Sequence, residues 1–244
     1  MKNAKRCFGV IAAAVLLGAY VTDTANTLPA HFAPVKASAE DISSSSLSEL
    51  ASSLGADTDC FGFVNFAPAD VSSGVQTELK KVMSPIDEMT GVGSIVNRLK
   101  TGGLCYGFSV LEILAHNGVI SPSDIQEGAE NLCDIQLDES VTNILTYYAG
   151  TQLLQEQHFR QGCYYCSSSY EKMCDDLIAY GERAVSEGRY FLIAISGSLN
   201  GRNGAHAVVG IGCADGEWTY NDRTYDKCIL SLDSNLYRTD EGGN

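Results

Sequence analysis

The chain has 244 residues, of which 45% are hydrophobic, and carries a formal net charge of -14. This length and composition suit one large folded domain or two small ones, and they exclude an intrinsically disordered chain. The strong negative charge makes nucleic acid and anionic membranes poor partners, and we expect neither.

The N-terminus has the layout of a secretory signal peptide. Basic residues lie within the first six positions, an apolar run covers residues 7–21, and a polar stretch ends in Ala37-Ser38-Ala39. We expect cleavage after Ala39, with a site near Ala25 as the alternative. The apolar run is shorter than the roughly 20 residues that cross a bilayer. The sequence therefore predicts a signal peptide over 1–39 and a secreted protein with no stable membrane insertion after cleavage.

A serine-rich linker is expected over residues 40–58, followed by one domain over 59–244. The alternating aromatic run from Asp59 to Phe66 predicts a strand. Cys60 lies in this run, in a pattern that resembles the nucleophile motif of secreted cell-wall cysteine peptidases. A nucleophile of that type opens a helix, and Pro68 follows too soon. We therefore interpret Cys60 as a core residue of the strand.

The middle of the chain is predicted to be helical. Helical spacing of apolar residues, serine caps and helix-ending glycines indicate the segments 72–83, 89–99, a helix opening at 105, a helix start at 121–122, and the segments 138–158 and 169–187.

Cys105 lies where the third of these helices begins, after Gly102 and Gly103. A helix start offers unpaired N–H groups and the positive end of the macrodipole, and both favour a thiolate. The glycines leave the sulfur open to a substrate. Cys105 is therefore a candidate nucleophile, and the alternative is a small apolar residue in a core helix.

From residue 189 the pattern changes to that of strands. We expect strands over 190–195, 205–213, 217–220 and 227–232, with a tight hairpin turn at Asp215-Gly216. Helices followed by an antiparallel sheet indicate the α+β class, in which a cleft can form between a helical half and a sheet half.

His206 is the candidate base, because it starts a strand directly after a glycine-rich loop. The other histidines lack the setting of a catalytic base: His31 leaves with the signal peptide, His116 ends a helix, and His158 lies in a helical surface pattern. Asp233 and Asn235 follow the last strand on one face, and either could orient the imidazole. We favour Asp233.

The nine cysteines include a cluster at Cys163, Cys166 and Cys174, close to His158. Zinc ligands usually come as two spaced pairs, and the second pair is missing here. We therefore expect no metal and no cofactor. Secretion permits disulfides without requiring them, and the spacing leaves their pairing open.

Together, the segments GGLCYGFS, GAHAVVGIG and ILSLDSN resemble the papain-like cysteine peptidases, in particular secreted bacterial members. The resemblance covers roughly Asp59 to Asn235. It implies a helical half that carries Cys105 as nucleophile, an antiparallel sheet half that carries His206 as base, and Asp233 or Asn235 as orienter. It also implies hydrolysis of protein or peptide substrates.

Two positions depart from the family pattern. The family carries a glutamine six residues before the cysteine as an oxyanion donor, and this chain has Leu99 there. The nearest upstream amide is Asn97, a possible donor at a different spacing. The chain also ends nine residues after Asn235. We expect either a compact variant or a piece of a longer protein, lacking C-terminal strands.

Two other functions compete with the peptidase. A transglutaminase-like acyltransferase also uses Cys, His and Asp in this order, and its acid would be Asp222, after Trp218. A non-catalytic surface-binding module on a degenerate peptidase fold is the second alternative, favoured by the missing glutamine.

Overall fold

The computed structural model describes residues 11–15, 58–154, 170–199, 202–220 and 223–235. Helices come first in the domain and an antiparallel sheet comes last, which confirms the predicted α+β class. The helices are α1 (Ser73–Val82), α2 (Pro85–Thr90), α3 (Val92–Thr101), α4 (Cys105–His116), α5 (Pro122–Ile125), α6 (Glu139–Thr151) and α7 (Tyr170–Ser186), with a 3-10 helix over Leu132–Asp134. The strands are β1 (Ile11–Val15), β2 (Phe191–Leu199), β3 (Arg202–Tyr220) and β4 (Arg223–Leu232).

The sheet has the strand order β1-β2-β3-β4, and all neighbours are antiparallel. Strand β1 pairs with β2 from Ile11 opposite Ser196 to Val15 opposite Leu192. It lies inside the segment that the sequence predicts as a signal peptide, and cleavage of that segment stays a prediction. In the described part of the chain, no helix is both long enough and apolar enough to cross a membrane.

Helix α4 is buried on two sides. One side carries Leu104, Phe108 and Leu111 into a core shared with the helices α1, α3 and α6. The other side carries Tyr106, Val110 and Ile113 onto the sheet. Apolar residues therefore surround the helix, which is typical of a helix at the centre of a domain.

The sheet separates α4 from α7. Alternate residues of a strand point to opposite faces. Leu192 and Val209 accordingly face α4, while Ile193 and Val208 face Leu177 of α7. The sheet therefore lies between α4, which carries Cys105, and the last helix.

The two longest helices of the helical half meet at Gly107. A Cβ atom at this position would clash with the carbonyl oxygen of Leu145 on α6. Only a residue without a side chain allows this approach, because the neighbour is backbone and cannot rotate away.

Two predicted elements are wrong. Residues 59–66 form no strand, and one backbone bond joins them to the residues just after β4, from the N–H of Asn65 to the carbonyl of Ser234 (2.6 Å). Asp215-Gly216 is not a turn either, because β3 continues through it with a shift of register between Asp215 and Trp218. An irregularity of this kind absorbs an Asp-Gly pair without reversing the chain. The predicted helix over 138–158 ends at Thr151, and residues 155–158 lie outside the described part.

The close contact at Gly107 leads to a stability prediction. Gly107→Ala should lower the free energy of unfolding by about 1–3 kcal/mol or more, because the new methyl group forces α4 and α6 apart. Gly93→Ala is the matched control, since a Cβ at Gly93 on α3 has nothing within 4 Å. Urea denaturation measures both variants, and equal stabilities would contradict the role assigned to Gly107.

Candidate active site

Cys105 is the first residue of α4. The preceding residue, Leu104, caps the helix without a side-chain hydrogen bond, so the first N–H groups are not covered by a capping side chain. Burial opposes ionisation of the thiol, but hydrogen bonds with His206 and with the backbone of Ala207 and Tyr106 outweigh it. The net result is a Cys105 pKa below its ordinary value, which favours the thiolate.

His206 lies on β3, opposite Ile195 of β2. Its Nε2 is 2.6 Å from Oδ1 of Asp233, which leaves Nδ1 as the ring nitrogen for Cys105. The hydrogen bond with Cys105 raises the pKa of His206 to about 9; burial opposes this shift, and Asp233 adds to it. The imidazole is therefore protonated next to a thiol that ionises readily, which is the arrangement of a thiolate–imidazolium pair.

Asp233 reaches His206 because of the register of the sheet. Leu232, the last residue of β4, pairs with Val209, three positions after His206 on β3. Oδ1 of Asp233 also accepts a hydrogen bond from the backbone N–H of Asn235 (2.8 Å). This second bond fixes the carboxylate that orients the imidazole.

Asn235 and Asn65 continue the network towards the helix. Oδ1 of Asn65 accepts from the N–H of Leu104 (2.6 Å), so its Nδ2 faces away and donates to Oδ1 of Asn235 (2.9 Å). Nδ2 of Asn235 is then 3.2 Å from Nε2 and 3.4 Å from Nδ1 of His206. The backbone of Leu104 thus determines the orientation of both amides.

Asn65 is the site residue that the sequence analysis missed. A Cβ atom at Gly103 would clash with Nδ2 of Asn65, so the glycine two positions before Cys105 makes room for this amide. The signal in the sequence was a polar residue near the end of the alternating aromatic run, in register with Phe61 and Phe63.

The other residues considered for the oxyanion lie elsewhere. Asn97 is exposed on α3, and within the described ranges no hydrogen bond joins its side chain to Cys105, His206 or Asp233. Leu99, which stands at the position of the family's glutamine, is buried in the core of the helical half. The structure brings together Cys105, His206, Asp233, Asn235 and Asn65.

Below the site, Glu112 is buried in the middle of α4, with 2% of its surface exposed. Burial raises the pKa of this carboxyl well above its ordinary value, and the nearby charges of Asp233 and Asp59 raise it further. The side chain also makes a hydrogen bond with the backbone of Phe61. Through this hydrogen bond the buried carboxyl ties α4 to the segment that carries Asn65.

A second polar cluster lies at the other end of α4. Oδ2 of Asp59 is 2.7 Å from Nδ1 of His116 and accepts a hydrogen bond from the hydroxyl of Tyr190 (3.1 Å). The rings of His116 and Tyr190 stack with centroids 3.4 Å apart. Burial raises the pKa of Asp59, but these partners outweigh it and hold the pKa below the ordinary value. The cluster anchors the start of the segment that ends at Asn65.

Several residues named from the sequence lie outside the described part of the chain: His31, His158, Cys163, Cys166 and Asp222. The same holds for the side chain of Cys174 on α7. Within the described residues, no group of three or more histidine, cysteine or carboxylate side chains is arranged for a metal ion.

Comparison with known proteins gives no relative. No protein-family model matches the chain, and neither a curated protein nor a solved structure matches it. The chemistry open to the site therefore follows from its own geometry.

That geometry supplies three elements of nucleophilic catalysis. A thiol with a lowered pKa lies at a helix start, a histidine of raised pKa contacts it, and a carboxylate holds the far nitrogen of the ring. The arrangement can form a covalent bond between sulfur and an electrophilic carbon and can deliver a proton to a leaving group.

The lowered thiol pKa can be measured by alkylation. After phosphine reduction, Cys105 should react with iodoacetamide at half its maximal rate below pH ~8.5, the ordinary value for a thiol. Cys133 is the reference in the same sample, because burial and Asp134 raise the pKa of its thiol. His206→Ala should move the Cys105 profile to higher pH, since the hydrogen bond and the cation are lost. Identical profiles for Cys105 and Cys133 in the unaltered protein would contradict the assignment.

Proposed function

We propose that the protein is a secreted cysteine peptidase of papain-like type, which hydrolyses peptide bonds through an acyl-enzyme. The observation that carries the proposal is the contact chain from Cys105 through His206 to Asp233, with Nε2 of His206 2.6 Å from Oδ1 of Asp233. A nucleophile, a base and an orienter in contact are the minimum set for this chemistry.

In the first half of the reaction the Cys105 thiolate attacks the carbonyl carbon of the substrate. His206 then gives its Nδ1 proton to the leaving amine, and a thioester to Cys105 remains. In the second half, water attacks the thioester while His206 takes its proton, and the thiolate is released. Asp233 accepts from Nε2 throughout and keeps the ring in the tautomer that each transfer needs.

The oxyanion needs two donors, and we assign them to the backbone N–H of Cys105 and to Nδ2 of Asn65. The first lies in the opening turn of α4, where N–H groups have no partner within the helix. The second lies beside Gly103, and a side-chain amide carries two hydrogens, of which Asn235 takes one. Asn65 would thus be the side-chain donor to the oxyanion, the role that the papain-like family gives to the glutamine at the position of Leu99.

A transglutaminase-like reaction would use the same acyl-enzyme and an amine in place of water. In that group the acid is expected at Asp222, whereas Asp233 contacts His206 here. This contact supports the peptidase. Product analysis in the presence of a fluorescent primary amine separates the two reactions, because only the acyltransferase couples the amine to the substrate.

The first functional test is replacement of the nucleophile. Cys105→Ser should reduce casein hydrolysis at least ~10³-fold, because a hydroxyl is not ionised by this site. Cys228→Ser, on β4, is the matched control and should keep full activity.

A labelling experiment tests the proposal even where a narrow substrate preference excludes casein. An epoxide probe for cysteine peptidases should modify Cys105 of the unaltered protein, as mapped by mass spectrometry. A protein that resists the probe, and whose casein activity is unchanged by Cys105→Ser, is not the proposed peptidase.

The second test concerns the oxyanion. Asn65→Ala should lower kcat by about 10²–10³ with a small change in KM, since the donor acts mainly in the transition state. Asn97→Ala is the control, because this exposed amide on α3 is the nearest amide upstream of Cys105 in the sequence. Loss of kcat in the Asn97 variant, with full activity in the Asn65 variant, would reverse the assignment.

A further inference from the structure

Two cysteines outside the site lie in neighbouring segments. Cys60 belongs to the irregular segment after residue 58, and Cys133 belongs to the 3-10 helix over Leu132–Asp134. Both are half-buried thiols. The proposed reaction uses neither of them, and 73 positions of sequence separate the two.

Backbone contacts on both sides of Cys60 hold the segments together. On one side, the N–H of Leu132 donates to the carbonyl of Thr58 (3.1 Å). On the other side, a Cβ atom at Gly62 would lie 3.0 Å from the carbonyl oxygen of Cys133. Cys60 is the residue midway between Thr58 and Gly62. The Cys60 and Cys133 backbones are therefore close neighbours, as a disulfide requires.

The electrostatics of Cys60 agree with this placement. Burial raises the pKa of the Cys60 thiol to about 12, and the charges of Glu112 and Cys133 contribute to the shift. Cys133 therefore lies within the electrostatic range of the Cys60 sulfur. A buried thiol of this kind exchanges slowly once the protein has folded, because the thiolate is the reacting species.

From these contacts we propose that Cys60 and Cys133 form a structural disulfide when the chain folds in an oxidising compartment. The oxidant is a small-molecule or protein disulfide. One thiolate attacks it to give a mixed disulfide and one released thiol. The second cysteine then attacks the protein sulfur of the mixed disulfide and releases the second thiol. In total the two cysteines lose two protons and two electrons, and the oxidant disulfide is reduced to two thiols.

The cross-link would act on the segment that supports the site. Cys60 is five positions before Asn65, and the closed loop of residues 60–133 contains the whole of α4. A bond across a loop of this length restricts the unfolded chain and stabilises the folded one. It would thus compensate for the missing strand pairing of residues 59–66. The inference does not depend on peptidase activity, because its readout is covalent.

Cys213 and Cys228, a second pair of cysteines on neighbouring segments, serve as a contrast. Cys213 on β3 pairs with Ile229, and Cys228 on β4 pairs with Ala214. Their positions differ by one in register, so their side chains point to opposite faces of the sheet. Although Cys213 and Cys228 are close in the sequence, we expect no disulfide between them.

The test refolds the reduced full-length chain in a mixture of oxidised and reduced glutathione, followed by alkylation and peptide mapping without reduction. Cleavage after lysine, arginine and glutamate places Cys60 in the peptide 50–78 and Cys133 in the peptide 131–139, and it separates Cys105 from Cys133 at Glu112. The expected product joins these two peptides. Alkylated or glutathione-bound cysteines at both positions, or a link from Cys60 to any other cysteine, would overturn the proposal.

A thermal measurement supplies an independent readout. Reduction should lower the Tm of the oxidised chain by about 5 °C or more, and it should leave the Tm of Cys133→Ser unchanged. Cys228→Ser should keep the full shift of the unaltered chain. The mapping experiment uses the unaltered sequence, so it decides the matter even where Cys133→Ser folds poorly. An oxidised chain with no shift on reduction counts against a structural role for the bond.

Discussion

Helix α4 packs against a neighbour on both of its sides, and this packing sets the position of the Cys105 thiol. Phe108 and Leu111 bury one side against the helices, while Tyr106 and Val110 bury the other against the sheet. Burying a large apolar side chain is worth about 1.5–3 kcal/mol, so the helix cannot slide or rotate cheaply. Its first turn is therefore a rigid platform next to His206.

The segment 58–66 depends on the same helix in a different way. It has no regular structure, and side chains hold it along α4. Asp59 bonds His116 at one end, Glu112 bonds the backbone of Phe61 in the middle, and Asn65 bonds Leu104 at the other end. Phe61, Phe63 and Phe66 pack around the ring of Phe108. A strand would have paired with the sheet along its length, whereas this segment is held mainly by side-chain contacts along α4. Alternation alone therefore gave the wrong prediction.

The sequence could predict those site residues whose local setting is special. Cys105 follows two glycines at a helix start, His206 follows a glycine-rich loop, and Asp233 ends a strand. Asn65 has no such setting, because its role comes from contacts with Leu104 and Asn235 that are remote along the chain. Asp215-Gly216 failed for a related reason, since an Asp-Gly pair suits a turn and a bulge equally well, and the pairing with β4 decides between them.

Two electrostatic contributions to the stability of the fold both decrease as the pH rises. The Cys105–His206 pair is charged between the lowered pKa of the thiol and the pKa of about 9 of the imidazole. The stability that His206 gains from its partners is fully present below its unfolded pKa and is lost as the pH rises through about 9.

Glu112 affects the stability of the fold at lower pH than His206 does. The unfolded chain releases the Glu112 proton above the ordinary carboxyl pKa, whereas the folded state keeps it up to the raised pKa. The stability of the fold therefore falls as the pH rises between these two pKa values. In the pH range that charges the Cys105–His206 pair, the buried Glu112 carboxyl thus already weakens the fold. The apolar packing around α4 and the anchors of segment 58–66 have to offset that loss, which makes the support of the site as important to its chemistry as the three residues in contact.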